Sequence, residues 1–430
     1  MLSILVMTIL VVEVALACWV DKHLYGTLIT PFSVLAGPYL LVVLLAWLLA
    51  GSLGLAPLYT PSVIVWIAGL AIVWIVNTAV AWGGMGVSGS IVADEISSRT
   101  PFEESLRLPA IVLAWILIPI TLEGAWSAFR SVGGWAQIGS PEFKDAYMYG
   151  FPAHARLLTV PIIIFLIGSY KKSDKASTAT IGILIFILFI GQVKGALLEP
   201  LLGGMVYRLG ARRLRLTAMK VVGSLAAGYL CFNLVYLLAV WSIHPESIRD
   251  PAPYAFLFRH FFQYLFAGVL GFSEALRTGA SFRDNAEVLF SPFINVLHLA
   301  YSSGAPIAAG TPKQLGMTID LLNPDPILAS NVFTLFGTVY LYIGPLFAVL
   351  YVAVMATIVS LFFSLMNKSM NPLWLVAFSY LSAQLVFGFF EIYFWHSAIL
   401  EVLVYCGILG LWAAWRNREK SFLQTEPATI

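Results

Sequence analysis

The sequence has few charged residues. They make up 11% of its 430 residues, against about 25% in soluble globular domains. Hydrophobic residues make up 60%, and apolar runs long enough to cross a bilayer recur along the chain. The short alternating segments of a membrane β-barrel are missing. We therefore expect an all-α polytopic integral membrane protein.

Motifs of soluble enzymes are also missing. The sequence contains no Walker A, GxSxG, HExxH or DxD motif, and its three cysteines lie in apolar stretches without metal-ligand spacing. The glycine-rich "GGMGVSG" (83–89) follows no strand signal, so we interpret it as a flexible connection. The net charge is +2 and no basic block suggests nucleic acid. The sequence thus predicts no cofactor, no metal and no nucleic-acid partner.

We predict one transmembrane domain, 1–430, with about eleven spans. The predicted spans are 2–20, 32–50, 61–82, 108–128, 154–170, 177–193, 195–211, 217–243, 335–363, 373–391 and 397–415. The seventh, "GALLEPLLGGMVYRL", contains a proline and two glycines, so we expect it to be kinked or partly re-entrant.

Basic segments predict the orientation. "KKSDK" (171–175), "RLGARRLR" (208–215) and "RNREK" (416–420) all fall on one side of these spans, which favours a cytoplasmic C-terminus. Residues 244–330 then form a large external loop. Within it, "YAFLFRHFFQYLFAGVLGF" (254–272) and "PFINVLHLAYSSG" (292–304) predict helices that lie in the membrane interface.

Several cations lie at the predicted outer face. Arg259 falls in the apolar "FLFRHFFQY", and Arg277 and Arg283 flank "TGASF". A guanidinium at an apolar interface needs a partner, and a diphosphate is one candidate because its oxygens match the guanidinium fork. The alternative is pairing with lipid headgroups or with nearby acids, namely Glu274, Asp284 and Glu287.

Two further cations open predicted spans. Lys194 stands at an outer junction in "GQVKGALL", where it either serves the site, reaches the interface or pairs with Glu199. Arg156 opens the fifth span in "AHARLLTVPIII" and likewise has either a structural or a functional role.

An acid and an imidazole share a short external turn. Glu391 and His396 lie in "FFEIYFWHSAILE" (389–401), at a rim that we expect to meet water. Together they are candidates for a general base or proton relay. The alternative is that they cap two helix ends.

The stretch "SNVFTLFGTVYLYIGPLFAVLY" returns the chain to the membrane after the long loop. Its polar start predicts either a helix cap or contacts with glycan hydroxyls. The stretch resembles the bacterial oligosaccharide repeat unit polymerases, the O-antigen polymerase (Wzy) type. The residues that fit are Asn331, Val332, Thr334, Tyr340 and Gly344, whereas Tyr342 stands where the family often has aspartate.

Two other segments follow the same family in order. "GQVKGALL" (191–198) is similar to its Gly-Ser-Arg-Gly junction, with Lys194 in place of arginine, and "VGGWAQIG…AHAR" has a glycine pair followed by an arginine before a span. The resemblance covers roughly residues 130–400 and implies a GT-C-like polymerase/ligase architecture.

The resemblance implies a glycosyltransferase at the outer face of a bacterial inner membrane. Such an enzyme joins undecaprenyl-diphosphate-linked oligosaccharide units without metal or ATP. Membrane lipids and a chain-length regulator protein are further expected partners. Glu391, His298 or Asp284 would act as base. The substrate-binding candidates are Arg259, Arg277, Arg283, Lys194, Arg156, Asn331 and Tyr340. The alternatives are a ligase-like or other lipid-linked glycosyltransferase, and a transporter or flippase of lipid-linked sugars.

Overall fold

The structure is a computed structural model that describes most of the chain. The described residues are 2–85, 93–134, 137–138, 140–148, 150–171, 173–191, 193–215, 217–243, 252–301, 319–321 and 329–425. Its α-helices are α1 (Leu2–Tyr25), α2 (Pro31–Leu49), α3 (Thr60–Val80), α4 (Ala93–Ser131), α5 (Pro141–Tyr147), α6 (Gly150–Gly168), α7 (Lys175–Ile190), α8 (Lys194–Gly210), α9 (Ala218–Ile243), α10 (Ala252–Thr278), α11 (Ser291–Tyr301), α12 (Leu335–Lys368), α13 (Pro372–Val386) and α14 (Ser397–Thr425). Two short strands, β1 (Ile319–Asp320) and β2 (Ala329–Ser330), pair antiparallel.

Eight helices in the described part of the chain are long and apolar enough to cross a membrane. They are Leu2–Tyr25, Pro31–Leu49, Thr60–Gly83, Pro101–Ser131, Gly150–Gly168, Leu335–Lys368, Pro372–Phe389 and Ser397–Arg416. The expected all-α, multi-span class is therefore confirmed. The other three predicted spans coincide with α7, α8 and α9, but Lys175–Ile190 and Met219–Leu234 are shorter apolar helices. The count of about eleven spans stays a prediction.

The predicted loop helices are present. The segment 254–272 lies inside α10, and 292–304 largely coincides with α11. Their position at a membrane interface stays a prediction. The seventh predicted span forms the continuous helix α8, with Pro200 inside it. The expected kink or partial re-entrance stays a prediction.

The chain divides into two compact units. Unit 1 comprises Met1–Ser90, Phe258–Asn367 and Gln384–Leu400, and unit 2 comprises Ile91–Leu257, Lys368–Ala383 and Glu401–Ile430. Both units contain candidate spans.

An aromatic core holds unit 1 together. The buried Tyr39 ring packs 5.9 Å from Trp66 and 5.5 Å from Phe336, and Trp66 packs 6.0 Å from Phe272. Aromatic pairs at these separations add to the free energy of burying their area. Gly337 lets Phe272 approach the backbone, since a Cβ there would lie 2.5 Å from that ring. The core thereby fixes α10 against the start of α12.

Arginines bind the end of α6 in unit 2. Arg107 donates to the Ser169 carbonyl at 2.7 Å, Arg213 to the Gly168 carbonyl at 3.1 Å, and Arg208 to the Ile167 carbonyl at 3.3 Å. Carbonyls at a helix C-terminus lack intrahelical partners, and cations there complement the helix dipole. Basic residues that predicted the orientation therefore also stabilise the fold.

Candidate functional site

The stretch 330–351, here called the re-entry stretch, begins with polar residues that make hydrogen bonds within the protein. Thr334 precedes α12, and its hydroxyl accepts a hydrogen bond from the Gly337 N–H at 3.1 Å, as an N-cap residue does. The same hydroxyl accepts from the Trp66 indole at 3.2 Å. Ser330 is buried, with its hydroxyl 3.0 Å from the Ala267 carbonyl. Of the two roles that the sequence allowed, Thr334 has the capping role.

Two glycines of α10 let the backbone come close to the site. A Cβ at Gly268 would overlap the carbonyl oxygen of Phe390, and a Cβ at Gly271 would lie 2.6 Å from that of Val332. Real Cβ atoms do not approach oxygen so closely, so only glycine fits at either position. Helix α10 is thus a common support for the turn at 390–396 and for the re-entry stretch.

Helix α12 is interrupted at Gly344. This residue has φ 76° and ψ 172°, outside the helical range, and Pro345 follows it. A positive φ favours glycine, and proline suits the first turn of a restarted helix. The Gly344-Pro345 pair in the sequence accounts for this break. The restarted segment presents the positive end of its dipole here, and its first residues, Leu346 and Phe347, are exposed.

Arg283 lies at this break. A Cβ at Gly344 would lie 3.0 Å from its Nη2 atom, so the guanidinium packs against the glycine Cα. The Phe282 N–H donates to the Leu341 carbonyl at 3.0 Å, which holds the 3₁₀ helix Arg283–Phe290 against α12. Arg283 is exposed and takes part in none of the ion pairs found among the described residues. A guanidinium beside a positive helix end favours anions.

The Glu391 carboxyl is buried. Only 6% of the residue is exposed, and its Oε1 atom has no hydrogen-bond partner among the described residues. Burial raises the pKa of Glu391 to about 8, and the Trp395 indole N–H offsets part of that rise. The expectation that Glu391 lies at a water-exposed rim is therefore wrong. The turn is short, as predicted, and α10 packs against it at Gly268.

His396 is half-buried in the same turn. Its Nε2 accepts a hydrogen bond from the Trp395 indole at 3.1 Å. Burial lowers the pKa of His396 to about 4, so the ring is neutral at pH 7. An imidazole that accepts through Nε2 carries its proton on Nδ1.

Aromatic rings connect Glu391 with the Arg283 segment. The fully buried Tyr342 packs 6.0 Å from Trp395 and 5.5 Å from Phe282, and its phenol interacts electrostatically with Glu391. On the other side, Tyr264 stacks on Phe390 at 5.6 Å. Unit 1 thus holds a buried carboxyl with a raised pKa and an exposed cation in one continuous cluster.

Other predicted residues of unit 1 have varied surroundings. Arg277 is bound by Glu274, with a 2.8 Å hydrogen bond from Nε and a second from Nη2. Arg277 therefore pairs with a nearby acid, which was one of the alternatives that the sequence left open for it. Asp284 is exposed beside Arg283, Asn331 is half-buried just after β2, and Tyr340 packs 6.0 Å from Phe272.

Arg156 lies in unit 2 and is buried. It donates to the Tyr147 carbonyl at 2.8 Å, and its guanidinium carbon lies 4.1 Å from the Tyr147 ring centroid. These contacts tie α5 to α6. The side chains of Arg259, His298 and Lys194 lie outside the described residues, although their backbones belong to α10, α11 and α8.

Sequence reasoning missed three parts of the cluster. Tyr342 stood out only as a departure from the family pattern, yet it joins the two halves of the site. Trp395 was one aromatic among many. The "GVLG" spacing of Gly268 and Gly271 inside an aromatic helix was the available signal for a close backbone approach.

Comparison with known proteins gives one match. Residues 54–417 match the family described as "Family of unknown function (DUF6337)". No curated protein and no solved structure matches the chain.

Proposed function

We infer the function of this chain, which belongs to a family of unknown function, DUF6337, from its own residues. We propose that it polymerises undecaprenyl-diphosphate-linked oligosaccharide repeat units into a surface polysaccharide. The proposal includes a bacterial inner membrane location, a periplasmic site beside the loop 244–330, and a GT-C-like arrangement of about eleven spans.

One observation carries the proposal: the buried Glu391 carboxyl, with an oxygen that has no partner among the described residues, belongs to the same cluster as Arg283. Transfer from a diphosphate needs a base for the attacking hydroxyl and a cation for the leaving group. Unit 1 supplies one group of each kind. The order of motifs resembling the repeat unit polymerases adds independent support.

The proposed reaction is a displacement at a sugar carbon. A non-reducing-end hydroxyl of the incoming unit attacks the anomeric carbon of the growing chain and forms the new glycosidic bond. The bond from that carbon to the diphosphate oxygen breaks, and undecaprenyl diphosphate leaves with the electron pair. Glu391 takes the hydroxyl proton at Oε1, and Arg283 stabilises the charge on the diphosphate.

The pKa of Glu391 suits this role. A base works best when its pKa lies near the working pH. A carboxylate whose pKa is raised to about 8 binds a proton far more strongly than an ordinary carboxylate does. The neutral His396 and the Trp395 indole hold the turn in place beside it.

The test is an assay with purified protein in proteoliposomes and one defined undecaprenyl-diphosphate-linked oligosaccharide. We expect a ladder of products that differ by one repeat unit, with release of undecaprenyl diphosphate. Transfer only onto added lipid A would identify a ligase instead. Movement of the lipid-linked sugar across the bilayer without a new glycosidic bond would identify a flippase, and either result would overturn the proposal.

A further inference from the structure

An apolar groove lies in unit 2, whereas Glu391 and Arg283 belong to unit 1. It has a volume of about 470 Å³ and runs between α4 and α14, with α6 and the start of α13 beneath it. Its lining is entirely apolar side chains and includes Leu106, Ile116, Phe165, Leu373, Ile408 and Trp412. Water does not fill such a space well, because an ordered water needs polar partners.

The groove opens sideways from the helices. Phe165 and Leu373 at its bottom are buried, whereas Val112, Ile116 and Ile408 at its edges are exposed. All four helices that form it are among those apolar enough to cross a membrane. The edges of the groove therefore meet the hydrocarbon of a bilayer, so the molecules available to enter it are lipid chains.

The dimensions of the groove fit one lipid acyl chain. The α4 wall runs from Leu106 to Ile116, which is about 15 Å at 1.5 Å per residue. The hydrocarbon core of a bilayer is about 30 Å thick, so the wall has the length of a single leaflet.

A cation stands at one end of the groove. The guanidinium carbon of Arg416 lies 5.5 Å from the centroid of the Trp412 ring, which lines the groove. Arg416 is the last residue of the candidate span Ser397–Arg416, where headgroups are expected. Within the described part of the chain it takes part in no ion pair. An apolar slot that ends at such a cation matches an anionic amphiphile.

We propose that the groove binds one acyl chain of an anionic membrane phospholipid, whose phosphate is held by Arg416. Neither Glu391 nor Arg283 lines the groove, and this proposal does not depend on the proposed glycosyl transfer.

Native mass spectrometry of the delipidated protein in detergent tests this site. Dioleoyl phosphatidylglycerol, dioleoyl phosphatidylcholine and undecaprenyl phosphate are titrated separately. We expect one tightly retained phosphatidylglycerol per protein and weaker phosphatidylcholine binding. Leu113→Trp fills the groove and should weaken phosphatidylglycerol binding at least about tenfold, or 1.4 kcal/mol.

The matched control is Leu108→Trp, the same change at an exposed position of α4 outside the groove, and it should bind phosphatidylglycerol as the wild type does. Arg416→Gln changes only the cation at the end of the groove and should abolish the preference for phosphatidylglycerol over phosphatidylcholine while an acyl chain still binds. Equal binding by the two tryptophan variants, an unchanged preference in Arg416→Gln, or tight binding of undecaprenyl phosphate alone would each overturn the proposal.

Discussion

The guanidinium of Arg283 packs against Gly344, at the residue where α12 is interrupted. A Cβ at position 344 would lie 3.0 Å from Nη2 and 3.3 Å from the guanidinium carbon. The helix break and the cation are therefore one structural feature. The positive φ of Gly344 makes the break, and the missing side chain leaves room for the arginine.

Arg283→Gln should reduce polymer formation by roughly 10²–10³-fold, because a cation that stabilises a developing charge is removed. Arg283→Lys should keep part of the activity, since lysine keeps the charge but loses the two-pronged geometry. The measurement is the initial rate of ladder formation in proteoliposomes. Arg277→Gln is the control, because that guanidinium is already bound by Glu274. Equal losses from the two glutamine variants would count against a special role for Arg283.

Glu391 should give the reaction a distinct pH dependence. Since its pKa is raised to about 8 and the base acts only when ionised, the rate should increase with pH and level off above about 8. Glu391→Gln should lose about 10²–10⁴-fold in rate, and Glu391→Asp should keep the rising limb at a reduced rate. A wild-type rate that is flat between pH 6 and 9 would contradict the role of Glu391 as base.

Glu391 should also lower stability at alkaline pH. Its ordinary pKa is 4.5 and its folded value about 8, so between these values the folded protein holds a proton that the unfolded chain has lost. Stability therefore falls as pH increases through this window. Glu391→Gln lacks this proton, and its midpoint of thermal unfolding in detergent should exceed that of the wild type by an amount that grows from pH 5 to pH 8. The exposed Glu142→Gln serves as control, and parallel profiles for Glu391→Gln and the wild type would refute the expectation.

The close approach of Gly268 to the Phe390 carbonyl predicts that one added methyl group at Gly268 lowers stability. Gly268→Ala places a Cβ on the carbonyl oxygen of Phe390, and relieving that overlap should cost about 1–3 kcal/mol and displace the turn that carries Glu391. Gly37→Ala is the matched change in the same unit, because a Cβ there meets nothing within 4 Å, and it should be neutral or stabilising by about 0.5–1 kcal/mol. Thermal unfolding in detergent checks both variants, and similar midpoints would disprove the packing.

Much of the secondary structure follows from the sequence. Long apolar runs predict helices because a backbone in hydrocarbon has to satisfy its own hydrogen bonds, and each predicted span coincides with a helix. The break at Gly344 was visible too, since glycine followed by proline opposes an uninterrupted helix. The sequence did not show that α8 is continuous, because neighbouring helices decide whether an internal proline such as Pro200 ends a helix.

The state of each charged group depended on the fold. The sequence marked Arg277, Arg283 and Arg156 as similar cations. In the structure Glu274 binds Arg277, and the Tyr147 carbonyl binds Arg156. Of the three, only Arg283 is exposed without an ion pair among the described residues. Glu391 likewise changed from an expected rim residue to a buried carboxyl.

The sequence by itself determined that the chain is a helical membrane protein, since hydropathy and helix length are properties of single segments. It also named Glu391 and Arg283 as candidates. Only the tertiary structure decided their surroundings, because burial, pKa and pairing depend on segments far apart in the chain. Residues 268, 342 and 395 approach Glu391 through packing that local periodicity does not encode.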